Sequence, residues 1–314
     1  MKRNCGLCFF SMLLILAFPG WSTELAGKPM LITVSNPDPD TLPTLGIHQV
    51  DKELRVRASF PNVPGFACDS WCYESQLDCM GIAVLDGGRL ELRHQDMKNP
   101  EAVYLTTVTP LPGAVEFLAR VELAPGAAGP LPDDLITPNL CWQLKPAPGF
   151  CRIADDKYPE FVERCFIFTE KGRTFLNNTD RKPIPCRPVT DVENNPPWVQ
   201  MYVGTWREVP EVSATSWAAY SEDRIVAPII GAVSKDGKHL AAIVNDSAST
   251  VCQAWHDCMH NNPEWLPGDA PPQERTWRVR VYAMQNDPET LVETARRDFP
   301  RMRLVPVKTD ALTK

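Results

Sequence analysis

Histidine is scarce in this chain, with five among 314 residues, so the positions from which an imidazole can act form a short list. No Gly-X-Ser-X-Gly segment occurs, which removes the nucleophile elbow of the α/β-hydrolases. Phosphate-cradling and dinucleotide-type glycine motifs are also absent. Positive charge is not in excess: the formal net charge of −7 argues against nucleic acid or an anionic membrane surface as a partner. There is no internal repeat and no low-complexity tract. Beyond the N-terminal segment, no apolar run reaches the roughly 20 residues that a membrane-spanning helix needs.

What is present begins with the layout of a secretory leader. Met1-Lys2-Arg3-Asn4 is basic, Cys5 to Phe18 is almost wholly apolar, and Pro19-Gly20-Trp21-Ser22 breaks the run with small residues suited to cleavage. Residues 1–22 therefore read as a signal peptide and residues 23–314 as a single large domain, soluble, secreted or periplasmic, and without membrane contact after cleavage. Cleavage removes Lys2 and Arg3 but no acid, moving the formal charge from −7 to −9. Cys5 and Cys8 leave with the leader, and the remaining nine of the eleven cysteines enter a compartment where close thiols pair. By proximity the expected bridges are Cys141 with Cys151, Cys165 with Cys186 and Cys252 with Cys258, with one left over among Cys68, Cys72 and Cys79.

Proline is abundant, 31 residues along the whole chain, which disfavours long helices and favours short strands between fixed turns. Alternating apolar residues mark strands at 54–60, 103–108, 114–123, 198–206 and 277–283. Hairpins are expected at 81–93 across Asp86-Gly87-Gly88 and at 225–244 across Lys235-Asp236-Gly237-Lys238. The loop around Cys68, Cys72 and Cys79 reads as stapled rather than regular, and Pro125 to Pro138 as a boundary or lid. One helix is signalled, capped by Asp287, started by Pro288 and ended by Pro300, burying Leu291, Ala295 and Phe299. The implied fold class is all-β: a large antiparallel two-sheet β-sandwich with one short C-terminal helix.

The richest stretch for chemistry is Trp255-His256-Asp257-Cys258-Met259-His260-Asn261-Asn262-Pro263-Glu264-Trp265. Read as extended chain, it puts His256, Cys258 and His260 on one side and Trp255, Asp257 and Met259 on the other. The ligand-binding candidates are His256, His260, Trp255, Asp257, Asn261, Glu264 and Trp265, a set of imidazoles, amide, acids and flat indoles suited to a sugar ring. Cys252-X5-Cys258 around His256, with His260 beyond, also offers thiolate and imidazole to zinc or copper. Its spacing fits no standard zinc motif, and a Cys252–Cys258 disulfide is the plainer reading, so no metal and no cofactor are assigned. Glu222, Asp223, Asp257 and Glu264 are near enough in sequence for paired-carboxylate glycoside chemistry, although solvated surface acids are the ordinary explanation of each.

From Ile82 onward the order of hairpins resembles the super-sandwich of the galactose-mutarotase-like proteins, over residues 45–305. The late run carries the likeness: a Cys-X-His-X-X-Pro type turn at Cys258-Met259-His260-Asn261-Asn262-Pro263, then the strand 277–283 and the helix 288–298. The resemblance implies a carbohydrate-active or carbohydrate-binding protein, an isomerase, lyase or hydrolase if an enzyme. This chain lacks the His-X-Tyr/Phe-Phe/Trp-Asn type segment of a mutarotase, so no catalytic residue is carried over. Two other classes stand beside the carbohydrate reading: a non-catalytic structural or adhesion protein stabilised by disulfides, and a metal-dependent enzyme. The leader predicts a mature N-terminus near Thr23, which intact-mass measurement of protein secreted from its natural host checks.

Overall fold

A computed structural model of the chain describes residues 30–50, 53–71, 77–135, 140–144, 147, 149–150, 161–182, 185, 200–216, 218–253, 258–263 and 274–305. Their strands form two nine-stranded sheets. The first runs from edge to edge as β1 (Met30–Thr33), β2 (Thr44–Val50), β3 (Glu53–Phe60), β4 (Phe66–Trp71), β9 (Cys141–Gln143), β17 (Cys258–Pro263), β16 (Ala248–Gln253), β12 (Gln200–Val203) and β13 (Ala219–Tyr220). The second runs as β11 (Gly172–Phe175), β10 (Cys165–Thr169), β14 (Ile229–Val233), β15 (His239–Asn245), β18 (Glu274–Gln285), β8 (Ala114–Leu123), β7 (Ala102–Leu111), β6 (Arg89–Asp96) and β5 (Leu77–Leu85). Pairing is antiparallel throughout except between β12 and β13. The helix α1 spans Pro288–Asp298.

Period-two alternation decides which side chains fill the space between the sheets. The first sheet contributes Ile47, Val56, Trp142, Val251 and Met259, and the second Val108, Phe117, Ile230, Ile243, Trp277 and Val279, all buried in one apolar cluster. Each aliphatic or phenyl side chain so buried contributes about 1.5–3 kcal/mol. The far face of the second sheet is covered too. There α1 lays Leu291, Ala295 and Phe299 on Phe166, Leu240, Ala242, Val244 and Tyr282. Burial on both faces explains why β14 and β15 are nearly continuous apolar runs while other strands alternate. The helix starts as its sequence signals: the Asp287 carboxylate accepts the backbone N–H groups of Glu289 and Thr290, each at 3.0 Å. The turn between β5 and β6 places Gly87 and Gly88 at φ of 73° and 74°, a region costly for residues with a Cβ.

Two expectations change. The stretch around Cys68 is not an irregular stapled loop; it holds β4 and leads, past residues outside those described, to β5. Phe66 and Cys68 alternate into the core, and the Cys68 thiol, burial-driven up to about 12, is a small apolar filler there. Within Pro125 to Pro138, the described residues form no strand, but Leu131 and Leu135 are fastened against Tyr104 and Val121 on the second sheet.

A polar bridge crosses the inter-sheet layer and ties β17 to the second sheet. Asn261 of β17 is fully buried, and its Nδ2 donates to the carbonyl oxygens of Pro228 at 2.7 Å and of Ile243 at 3.3 Å, both belonging to the opposite layer. Hydrogen bonds formed away from water stabilise by about 1 kcal/mol each, and their loss strands buried acceptors. Asn261→Ala removes both donors and leaves a small void; the expected loss is about 1–3 kcal/mol, read as a lowered midpoint with unchanged slope in urea unfolding.

Candidate metal centre on the outer face of the first sheet

Because Met259 and Asn261 point inward, Cys258 and His260 point to the outer face of the first sheet. Register then brings in two more residues from distant parts of the chain. Cys258 stands opposite Gln143 and Met259 opposite Trp142, so His260 lies beside Cys141 on β9. On its other side His260 is directly opposite Cys252 of β16. Cys141, His260 and Cys252 thus form a row across three adjacent strands, with Cys258 one pleat along on the central strand.

Within that set, the Sγ atoms of Cys141 and Cys258 and a ring nitrogen of His260 all lie within 4.8 Å of one another. Cys258 Sγ and His260 Nε2 are 2.9 Å apart, and His260 Nδ1 has no hydrogen-bond partner among the described residues. Tetrahedral zinc with sulfur ligands at about 2.3 Å and nitrogen at about 2.0 Å separates its donors by about 3.5–3.8 Å, inside the span seen here. The three donors can therefore accept an ion by side-chain adjustments of well under an ångström to about one. Cys258 is 1% exposed, whereas His260 is half-buried and is the member that reaches toward solvent. A nucleophilic thiol must meet its substrate, so the Cys258–His260 pair does not have the exposure of a catalytic dyad.

The surroundings are polar but dry. Gln143 is buried, and its Nε2 contacts Cys141 Sγ at 3.9 Å. One strand further, Asp69 stands opposite Gln143 and opposite Arg57, and its carboxylate meets His48 Nε2 at 3.1 Å and Arg57 Nε at 3.7 Å. Burial pushes Arg57 down, with Asp69 opposing. The Cys252 thiol is pushed up to about 12 by burial, with the neighbouring Cys141 adding to the shift and Arg181 opposing it.

The sequence candidates fare unevenly. His260 is at the centre of the cluster, while Asn261 faces the other way and is committed to the inter-sheet bridge. Trp255, His256, Asp257, Glu264 and Trp265 lie outside the described residues. The expected Cys252–Cys258 bridge is not formed, and Cys252 is a free thiol. The reason is register: Cys252 faces His260, which puts Cys258 at the diagonal position, about 7–8 Å away between Cα atoms and past the usual disulfide range. Cys165 Sγ donates to the Phe161 carbonyl at 3.3 Å. The cysteines expected to pair with Cys141 and Cys165, Cys151 and Cys186, lie outside the described residues. Cys141 was missed as a site residue because it lies more than a hundred positions from His260 in sequence, and only strand pairing brings them together.

No protein-family model and no curated protein matches the chain. Among solved structures, the Slr1438 protein from Synechocystis sp. PCC 6803 is similar over 86% of this chain and 99% of its own, with 8% identity and a TM-score of 0.40. A likeness of that size says nothing about the site.

The thiol state is directly measurable. Denatured without reductant and alkylated, the protein should yield Cys252 and Cys258 as separately modified peptides in mass-spectrometric mapping; a cross-linked Cys252–Cys258 peptide contradicts the register described.

Proposed function

We propose that this is a metal-binding β-sandwich protein that holds a thiophilic ion, zinc or copper(I), on Cys141, Cys258 and His260. The observation that supports it is the convergence of two thiols and an imidazole within 4.8 Å on a rigid, strand-borne surface. Thiolate and imidazole are the donors these ions select, and strands place them with little conformational freedom to lose.

The likeness to galactose-mutarotase-like proteins stays at the level of two large, mainly antiparallel sheets. A carbohydrate role keeps His260 among its described candidates, but Asn261 is spent within the sandwich. The burial of Cys141 and Cys258 favours a metal that fixes structure or is stored over one that meets substrate.

Protein isolated without chelator should carry near-stoichiometric zinc or copper by elemental analysis. A strong chelator should lower its thermal midpoint, since metal-binding free energy is also folding free energy. The double substitution Cys258→Ser with His260→Ala should abolish the bound metal. Metal-free protein that takes up neither added zinc nor copper(I) under reducing conditions overturns the proposal.

A further inference from the structure

We infer that Cys252 is the fourth ligand, so that the occupied centre is a closed three-sulfur, one-nitrogen site. This rests on the metal reading above and decides what kind of site it is. Three donors leave a tetrahedral ion one open position. Filled by water, that position makes a hydrolytic centre; filled by a protein thiolate, it makes an inert one.

The ladder places Cys252 directly across from His260. Side chains at directly opposite positions share a face of the sheet, with Cβ atoms about 4.5–5.5 Å apart. A single χ1 rotation can then swing a thiol sulfur between neighbouring staggered wells. Cys252 is also buried, 6% exposed, and stands in the same cross-strand row as Cys141, on the other side of His260. It lies outside the 4.8 Å group, so the inferred movement is a rotamer change of Cys252 toward the ion, on a strand whose backbone β12 and β17 already hold from both sides.

Among the described residues, the alternative sources of a fourth donor are poorer. Asp69, the acid nearest along the row, is two strands away from β17 and engaged by His48 and Arg57. Gln143 offers an amide, a weak partner for a soft ion beside thiols. Binding zinc through three thiolates and one neutral imidazole releases three protons and turns a divalent cation into a centre of net charge −1. Nothing is oxidised or reduced.

Cobalt(II) is a suitable probe, because its thiolate charge-transfer absorption grows with the number of bound sulfurs. Wild-type reduced protein titrated with cobalt should show tetrahedral visible bands. Cys252→Ser should still bind one equivalent, but with the near-ultraviolet band lowered by about a third and zinc affinity reduced at least tenfold. An unchanged band in Cys252→Ser overturns the inference and leaves the three-residue site standing. A wild type that binds neither cobalt nor zinc sinks the metal reading itself. X-ray absorption of the zinc-loaded wild type needs no variant to fold: three sulfurs and one nitrogen are expected, and two sulfurs with an oxygen count against Cys252.

Discussion

The position of everything at the candidate centre depends on which way β17 faces, and that is held by the carboxamide of Asn261. A strand has only two choices, because a one-residue slip exchanges its faces completely. Met259 among the apolar residues of the core and Asn261 donating to Pro228 and Ile243 leave β17 with one satisfactory arrangement. An apolar residue at 261 would bury as well but would bond to neither carbonyl. The bridge therefore acts as a register key, and it is the reason Cys258 and His260 share the opposite face with Cys252 and Cys141.

Much of the sandwich was legible because alternation and turn chemistry are local. The β5–β6 and β14–β15 hairpins, the strands β7, β8 and β18 and the capped helix all follow from periodicity and from residues such as Gly87, Gly88, Asp287 and Pro288. The extended reading of the His260 stretch was also sound where β17 is described: Cys258 and His260 do share a face. What failed was the one pairing inferred from nearness in sequence that the described residues test. Cys252 and Cys258 are six positions apart, which suggests a bridge, but a disulfide obeys cross-strand geometry and not chain distance. Cys68 misled in the same way, since a buried cysteine serves as readily for packing as for stapling. Cys141 was legible only as a candidate for pairing with Cys151; its place beside His260 carried no local signal, because that contact is made by strand order.

The outer face of the first sheet departs from the usual division of a sandwich into an apolar inside and a wet outside. His48, Arg57, Asp69 and Gln143 are buried there next to the thiols. A carboxylate and a guanidinium cannot be kept from water cheaply unless they offset one another, and Asp69 stands between a guanidinium and an imidazole as that requirement demands. In such a medium the field of a nearby charge is weakly screened. An ion bound two strands away from Asp69 would be felt by the whole row.

The strand order has a mechanical side. Among the described residues, strands β1 to β4 join the rest of their sheet only through β9, which is three residues long. So short a strand offers few ladder hydrogen bonds, and the N-terminal hairpins are accordingly the part of the sheet most able to peel away as a separate unit. Cys141 sits on that narrow splice and Cys258 and His260 on the strand beside it. A ligand gripping all three acts as a rivet across the seam, merging two patches that would otherwise open one after the other into a single cooperative sheet.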